Sequence, residues 1–140
     1  MEGLRILVDY GIIGFLIFMS MVALGVTLER WLFLRRVDVS RYSDKKSLEI
    51  LVTSRIHLVA TIGSNAPYVG LLGTVLGIML TFYTMGEKGM MNSMEIMTGL
   101  ALALKATAVG ILVAIPSITF YNLLLRKVKV LLMNWDIAHG

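Results

Sequence analysis

The sequence predicts an all-α integral membrane protein whose chain crosses a bilayer three times. Three stretches are apolar and long enough to span. Hydrophobic residues make up 57% of the 140 positions and charged ones only 16%, too few to cover a soluble domain. The charges that exist gather outside those stretches. Cysteine is absent, which excludes a disulfide framework and a thiolate metal site. With only His57 and His139 as imidazoles, no metal and no other cofactor is expected.

The first span runs from Tyr10 to Leu28, between Asp9 and Glu29. Its 19 residues reach roughly 28 Å at about 1.5 Å per residue, close to a hydrocarbon core of about 30 Å. A cleaved signal has a basic start and a small-residue cleavage site. Here the start is mixed (Glu2, Arg5, Asp9), so the segment reads as an anchor that stays. The second span runs from Ala66 to Gly86. The third runs from Ile96 to Leu125, interrupted once, by Lys105, and ended by Arg126. Soluble core helices rarely go this far without a polar face.

Between the first two spans, residues 29–65 form the one segment with room for water-facing structure. Ser43 is placed to cap a helix, with Asp44 in the first turn. Leu48, Leu51, Val52, Ile56 and Val59 then recur at helical spacing. The expectation is an amphipathic helix continuing into the second span. Without an internal repeat or a low-complexity linker, residues 1–140 read as a single domain.

Orientation follows from lysine and arginine. Residues 29–65 carry Arg30, Arg35, Arg36, Arg41, Lys45, Lys46 and Arg55, and the tail adds Arg126, Lys127 and Lys129. The opposite side has Arg5 and Lys88. Ten against two places the N-terminus outside and the C-terminus in the cytoplasm. The net charge of +4 is then a matter of topology, and no nucleic-acid partner is expected.

Small residues form stripes on the second and third spans. Gly70, Gly73 and Gly77 align with Ala66; Gly99, Ala103, Ala106, Gly110 and Ala114 do the same on the third. Such stripes let helix backbones approach in lipid, where little hydrophobic drive exists between helices. Packing within the chain accounts for part of them, and two stripes in so short a chain favour an oligomer around an axis. Thr74 and Thr107 lie on or beside these faces. A membrane threonine by default bonds to a carbonyl one turn earlier; this placement also suits a polar lining. Pro67, at the start of the second span, costs little. Pro116, inside the third, is expected to kink it, with Ser117 near enough to satisfy freed carbonyls.

The run APYVGLLGTVLGIMLTF in the second span and ALKATAVGILVAIPSITFYN in the third resemble the hallmark segments of the MotA/TolQ/ExbB proton-channel family. The likeness is closest to its ExbB and TolQ branches and covers roughly residues 58 to 125. It implies a pentamer in the bacterial inner membrane, with second and third helices lining a channel. A single-span partner resembling ExbD or TolR, carrying a membrane aspartate, occupies that channel. The resemblance further implies that proton entry drives motion that passes to a TonB- or TolA-like protein for nutrient import or envelope maintenance. By motif, the pore-facing threonines fall on Thr74 and Thr107. Two features depart from the pattern. The segment between the first two spans is short, and Leu102 stands where the family often has a glutamate.

None of the three spans contains Asp, Glu or His. A proton path needs a group that titrates, which threonine does not. The expectation is that this chain forms the wall and a partner supplies the acid. Lys105 has two readings: snorkelling to the outer interface, or facing the partner's carboxylate in the channel. A small carrier would need an intramembrane ionisable pair or a repeat, and neither is visible; a passive scaffold for a single-span partner needs only the small-residue faces. No nucleophile–base constellation or phosphate loop points to an enzyme.

Overall fold

A computed structural model describes residues 2–89 and 92–140, and every regular element among them is helical. Helix α1 spans Glu2–Arg36, α2 Lys45–Thr53, α3 Ile56–Lys88 and α4 Ser93–His139, with a 3₁₀ turn at Val39–Arg41. Helices α1, α3 and α4 are each long and apolar enough to cross a membrane. At about 1.5 Å per residue, the 47 residues of α4 reach roughly 70 Å, more than twice a hydrocarbon core of about 30 Å. Helix and span are therefore different quantities here. The backbone stays helical through Arg35, Arg36, Arg126 and Lys127, because arginine and lysine are good helix formers once in water.

The segment after α1 corrects two expectations. Asp44, not Ser43, caps α2: its carboxylate accepts from the Lys46 N–H at 3.2 Å. The amphipathic helix does not run on into α3. It stops at Ser54, and Arg55 takes φ 65°, a left-handed conformation uncommon outside glycine. The apolar register survives this break. Leu48 and Val52 from α2 and Ile56 and Val59 from α3 enter one cluster with Leu34, Leu124 and Val128. Burial of that face decides the fold of the segment, and the turn yields to it.

Arg30 stabilises the break. Nearly the whole residue is buried (2% exposed), and it donates to the carbonyls of Leu51 at 2.8 Å and Val52 at 3.2 Å. Those carbonyls lie in the last turn of α2, where helical donors run out. Its guanidinium also lies 4.3 Å from the centre of the Phe33 ring. Glu29 adds an ion pair to Arg55 at 2.6 Å. Farther along, the Trp135 indole N–H donates to the Tyr42 carbonyl at 2.8 Å and Lys45 pairs with Asp136 at 2.8 Å, so the end of α4 holds the loop.

A second cluster, Leu16, Met19, Ala23, Ile62, Ala66 and Ala114, joins the three long helices nearer their middles. Pro67 falls inside α3, not at its start, because α3 begins at Ile56. The Gly63 carbonyl consequently lacks its helical donor. Around Pro116 the helix assignment of α4 is continuous, and the Ser117 hydroxyl donates to Val113 at 2.8 Å. The carbonyl freed by Pro116 belongs to Leu112, so Ser117 does not serve it.

Candidate functional site at the α3–α4 seam

The two small-residue stripes meet each other. A methyl group placed on Gly70 would lie 2.5 Å from the Ala106 carbonyl oxygen, and one on Gly110 would lie 2.6 Å from that of Ala66. Only glycine permits this backbone-to-backbone approach. Farther along the seam, a methyl on Gly73 would meet Ala106 Cβ at 2.7 Å, and one on Gly77 would meet Ala103 Cβ at 2.8 Å. Gly99 lies against Thr81. Since each stripe is consumed inside one chain, the stripes themselves carry no argument for an oligomer.

Thr74 and Thr107 face each other across this seam. The Thr74 hydroxyl donates to the Ala103 carbonyl on α4 at 2.8 Å and shares a hydrogen bond with the Thr107 hydroxyl. With one proton per hydroxyl, either of the two can donate to the other; the shorter outgoing contact, Thr74 to Ala103, goes with Thr107 donating to Thr74. Thr107 also lies 3.4 Å from the Gly70 carbonyl. Other hydroxyls behave differently. Thr27, Thr53, Thr81, Thr84 and Thr119 each donate to the carbonyl four residues earlier on their own helix. Thr74 and Thr107 instead bond between helices. Thr74 is buried, whereas Thr107 is half-buried at the seam's edge.

Lys105 lies on another side of α4. Two residues along a helix turn about 200°, so Lys105 and Thr107 point nearly opposite ways. The Lys105 ammonium pairs with the Asp9 carboxylate on α1 at 3.1 Å. The sequence reading missed Asp9, because 96 positions separate the two. Lys105 thus finds a carboxylate within its own chain. The cleft they share, of about 240 Å³, lies between α1, α3 and α4 and is also lined by Arg5. Thr107 is not among its lining residues. Among the described residues, no group of three or more His, Cys, Asp or Glu is arranged to hold a metal ion.

The model of the MotA/TolQ/ExbB proton channel family matches residues 36–137, which include α2, α3 and nearly all of α4. The chain is 58% identical over 140 residues to the biopolymer transport protein ExbB of Aquifex aeolicus, covering 100% of this chain and 95% of that protein. It is 56% identical over 133 residues to a putative biopolymer transport protein ExbB-like 2 of Helicobacter pylori, covering 95% and 89% respectively. A biopolymer transport protein ExbB of Helicobacter pylori strain J99 is 49% identical over 131 residues, covering 94% and 90%. These relatives are of nearly the same length, so the short segment between the first two spans is shared at full scale. With its three apolar helices, the chain is a multi-pass inner-membrane protein. It belongs to the MotA/TolQ/ExbB proton channel family, among proteins named for biopolymer transport.

Proposed function

We propose that this chain is the wall-forming subunit of a proton-driven, ExbB-type motor that energises a TonB-like protein for nutrient import across the outer membrane. The observation that carries the reading is the Thr107–Thr74–Ala103 hydrogen-bond chain. It joins a buried hydroxyl, Thr74, to a half-buried one, Thr107, at the edge of the seam formed by the two helices that carry the family's segments. Hydroxyls of this kind relay hydrogen bonds to water or to a carboxylate but do not themselves ionise near neutral pH. The spans contain no Asp, Glu or His, and Asp9, just outside the first, is paired with Lys105. The titrating acid is therefore assigned to a single-span, ExbD-like partner with a membrane aspartate.

In this reading several copies, five by resemblance, enclose that partner with Thr74 and Thr107 toward the passage. Many large apolar side chains, among them Leu112, Met79 and Phe82, are exposed on the single chain and support burial against lipid or further copies. The ten-to-two excess of basic residues supports a periplasmic N-terminus and a cytoplasmic C-terminus. The test is proton flux into liposomes reconstituted with this protein alone and with its co-expressed partner. Flux is expected only with the partner. Robust flux from the single component overturns the division of labour, and no flux in either case assigns a scaffold instead.

A further inference from the structure

The cleft between α1, α3 and α4 has a composition that the proton path does not use. Of the three cations that lie outside the ten-residue basic group, two, Arg5 and Lys105, line this one cavity. A single carboxylate, Asp9, lines it with them. The cleft thus carries a surplus positive charge. Arg5 donates to the Thr81 hydroxyl and Lys105 to Asp9. A guanidinium has five N–H donors and an ammonium three, so both retain donors. Lys105 is 45% exposed on its side chain, leaving those donors accessible.

Depth and shape narrow the ligand. Asp9 directly precedes the uncharged run Tyr10–Leu28, and Lys105 directly precedes the uncharged run Ala106–Leu125. Ala106–Leu125 is long enough to span by itself, so the ion pair, where both runs begin, can lie at the boundary between apolar chains and polar heads, with the Lys105 ammonium reaching out to it. Arg5 lies one turn farther out on α1. Below these charges the walls are apolar and small: Ile12, Gly73 and Ala106. Above them α3 and α4 continue and flank the cleft with Leu80 and Leu102. At about 240 Å³ the cavity is below the roughly 300–1,000 Å³ of sites that enclose whole ligands, so it suits a head, not the tails.

We infer that this cleft binds the phosphate of an acidic phospholipid, held by Arg5 and Lys105, with Asp9 competing for Lys105 and the acyl chains lying along the apolar walls. The inference is independent of proton coupling. The test is lipid retention on the intact detergent-purified protein, read by native mass spectrometry after exchange with phosphatidylglycerol or phosphatidylcholine. Phosphatidylglycerol should be retained preferentially, with retention falling about fivefold for each of Arg5→Gln and Lys105→Gln. Arg5→Lys should keep most of it. Asp9→Asn should raise retention, because it frees Lys105; a merely structural ion pair would make Asp9→Asn and Lys105→Gln change it in the same direction. Arg126→Gln, at the far end of the bundle, should leave the preference intact. Equal retention of both lipids, insensitivity to Arg5→Gln, Lys105→Gln and Asp9→Asn alike (as when a second copy fills the cleft), or equal competition by inorganic phosphate alone would each overturn the inference.

Discussion

Thr74 on α3 and Thr107 on α4 share a hydrogen bond across a seam where glycines bring the two backbones together. Since the two hydroxyls share one hydrogen bond and each also reaches a carbonyl of the opposite helix, they act as one unit. Thr74→Val and Thr107→Val keep the shape and remove the proton donors. Interhelical hydrogen bonds in membranes are worth on average about 0.6 kcal/mol, so thermal stability should fall only slightly. Partner-dependent proton flux should collapse in both variants. The double variant should lose little more than either single one, because neighbours in one network are not additive. A large stability loss with flux per folded protein unchanged would make the pair structural.

The glycines of the seam predict a graded series. Gly70→Ala and Gly110→Ala force a methyl to within 2.5 and 2.6 Å of opposing carbonyl oxygens, so the helices must separate. Overpacking of this sort costs about 1–3 kcal/mol. Gly14→Ala and Gly25→Ala on α1 meet nothing within 4 Å and should be neutral or slightly stabilising. Thermal melting in one detergent compares all four. Equal midpoints across the set would mean that the seam is looser than its geometry indicates.

How much of this was legible in the sequence depends on the kind of contact. Uncharged runs mark the spans directly, since lipid excludes charge, and the three apolar helices follow from them. Helix ends were not legible in the same way: α4 runs on to His139 because charge ends a span without ending a helix. The periodicity identified Leu48, Val52, Ile56 and Val59 as a buried face but wrongly added Leu51, which is exposed, and missed the turn at Arg55, because non-glycine residues rarely announce a left-handed conformation. Gly70 and Gly110 were visible as a pattern, whereas their facing each other required the register between helices. Asp9 and Lys105 were the least legible, since nothing local couples positions so far apart.

Asp38 provides a pH prediction outside the spans. The Ser40 hydroxyl and backbone N–H both donate to its carboxylate and hold its pKa below the ordinary value. A lowered folded-state pKa means that its stabilisation is complete above the unfolded value of about 3.9 and is lost as pH falls through the folded one. The Asp38 cap on the 3₁₀ turn at Val39–Arg41 should therefore be intact at neutral pH and weaken in strong acid. Hydrogen exchange of the Ser40 amide across an acid titration measures this. Asp38→Asn should flatten that dependence, and an unchanged profile in the variant would assign it to another group.

Arg30 makes α2 depend on a residue of α1. Its guanidinium donates to Leu51 and Val52, and its burial means that no water replaces it when it is removed. Arg30→Met keeps the bulk and removes the donor from the buried Val52 carbonyl, at about 1–3 kcal/mol for an unsatisfied group, while the Leu51 carbonyl keeps the Ser54 N–H. Lysine should not rescue, because a single ammonium does not reproduce the guanidinium fork. The expected readout is faster tryptic cleavage after Arg55 and faster amide exchange in α2, with exchange in the middle of α3 unchanged. Uniform acceleration along the chain would instead mark a global loss of stability.

The Asp9–Lys105 pair adds a further account of the single charge inside the third apolar stretch, beside snorkelling, which wild-type transduction in Lys105→Met would leave standing, and a partner's carboxylate. At 3.1 Å, with side chains 45% exposed for Lys105 and 21% for Asp9, the pair is partly open. Open ion pairs contribute about 0–1 kcal/mol, so Lys105→Met and Asp9→Asn should each shift the melting midpoint only slightly. Their effect on energy transduction is more informative. If Lys105 serves by pairing with α1, both variants lose activity in parallel, and exchanging the charges (Asp9→Lys with Lys105→Asp) restores it. If Lys105 serves by meeting a partner's carboxylate, Lys105→Met abolishes transduction, Asp9→Asn leaves it, and the exchange fails to rescue. The position of Lys105 opposite Thr107 on α4 favours the first outcome, because a side chain turned toward α1 faces away from the threonine edge of the seam.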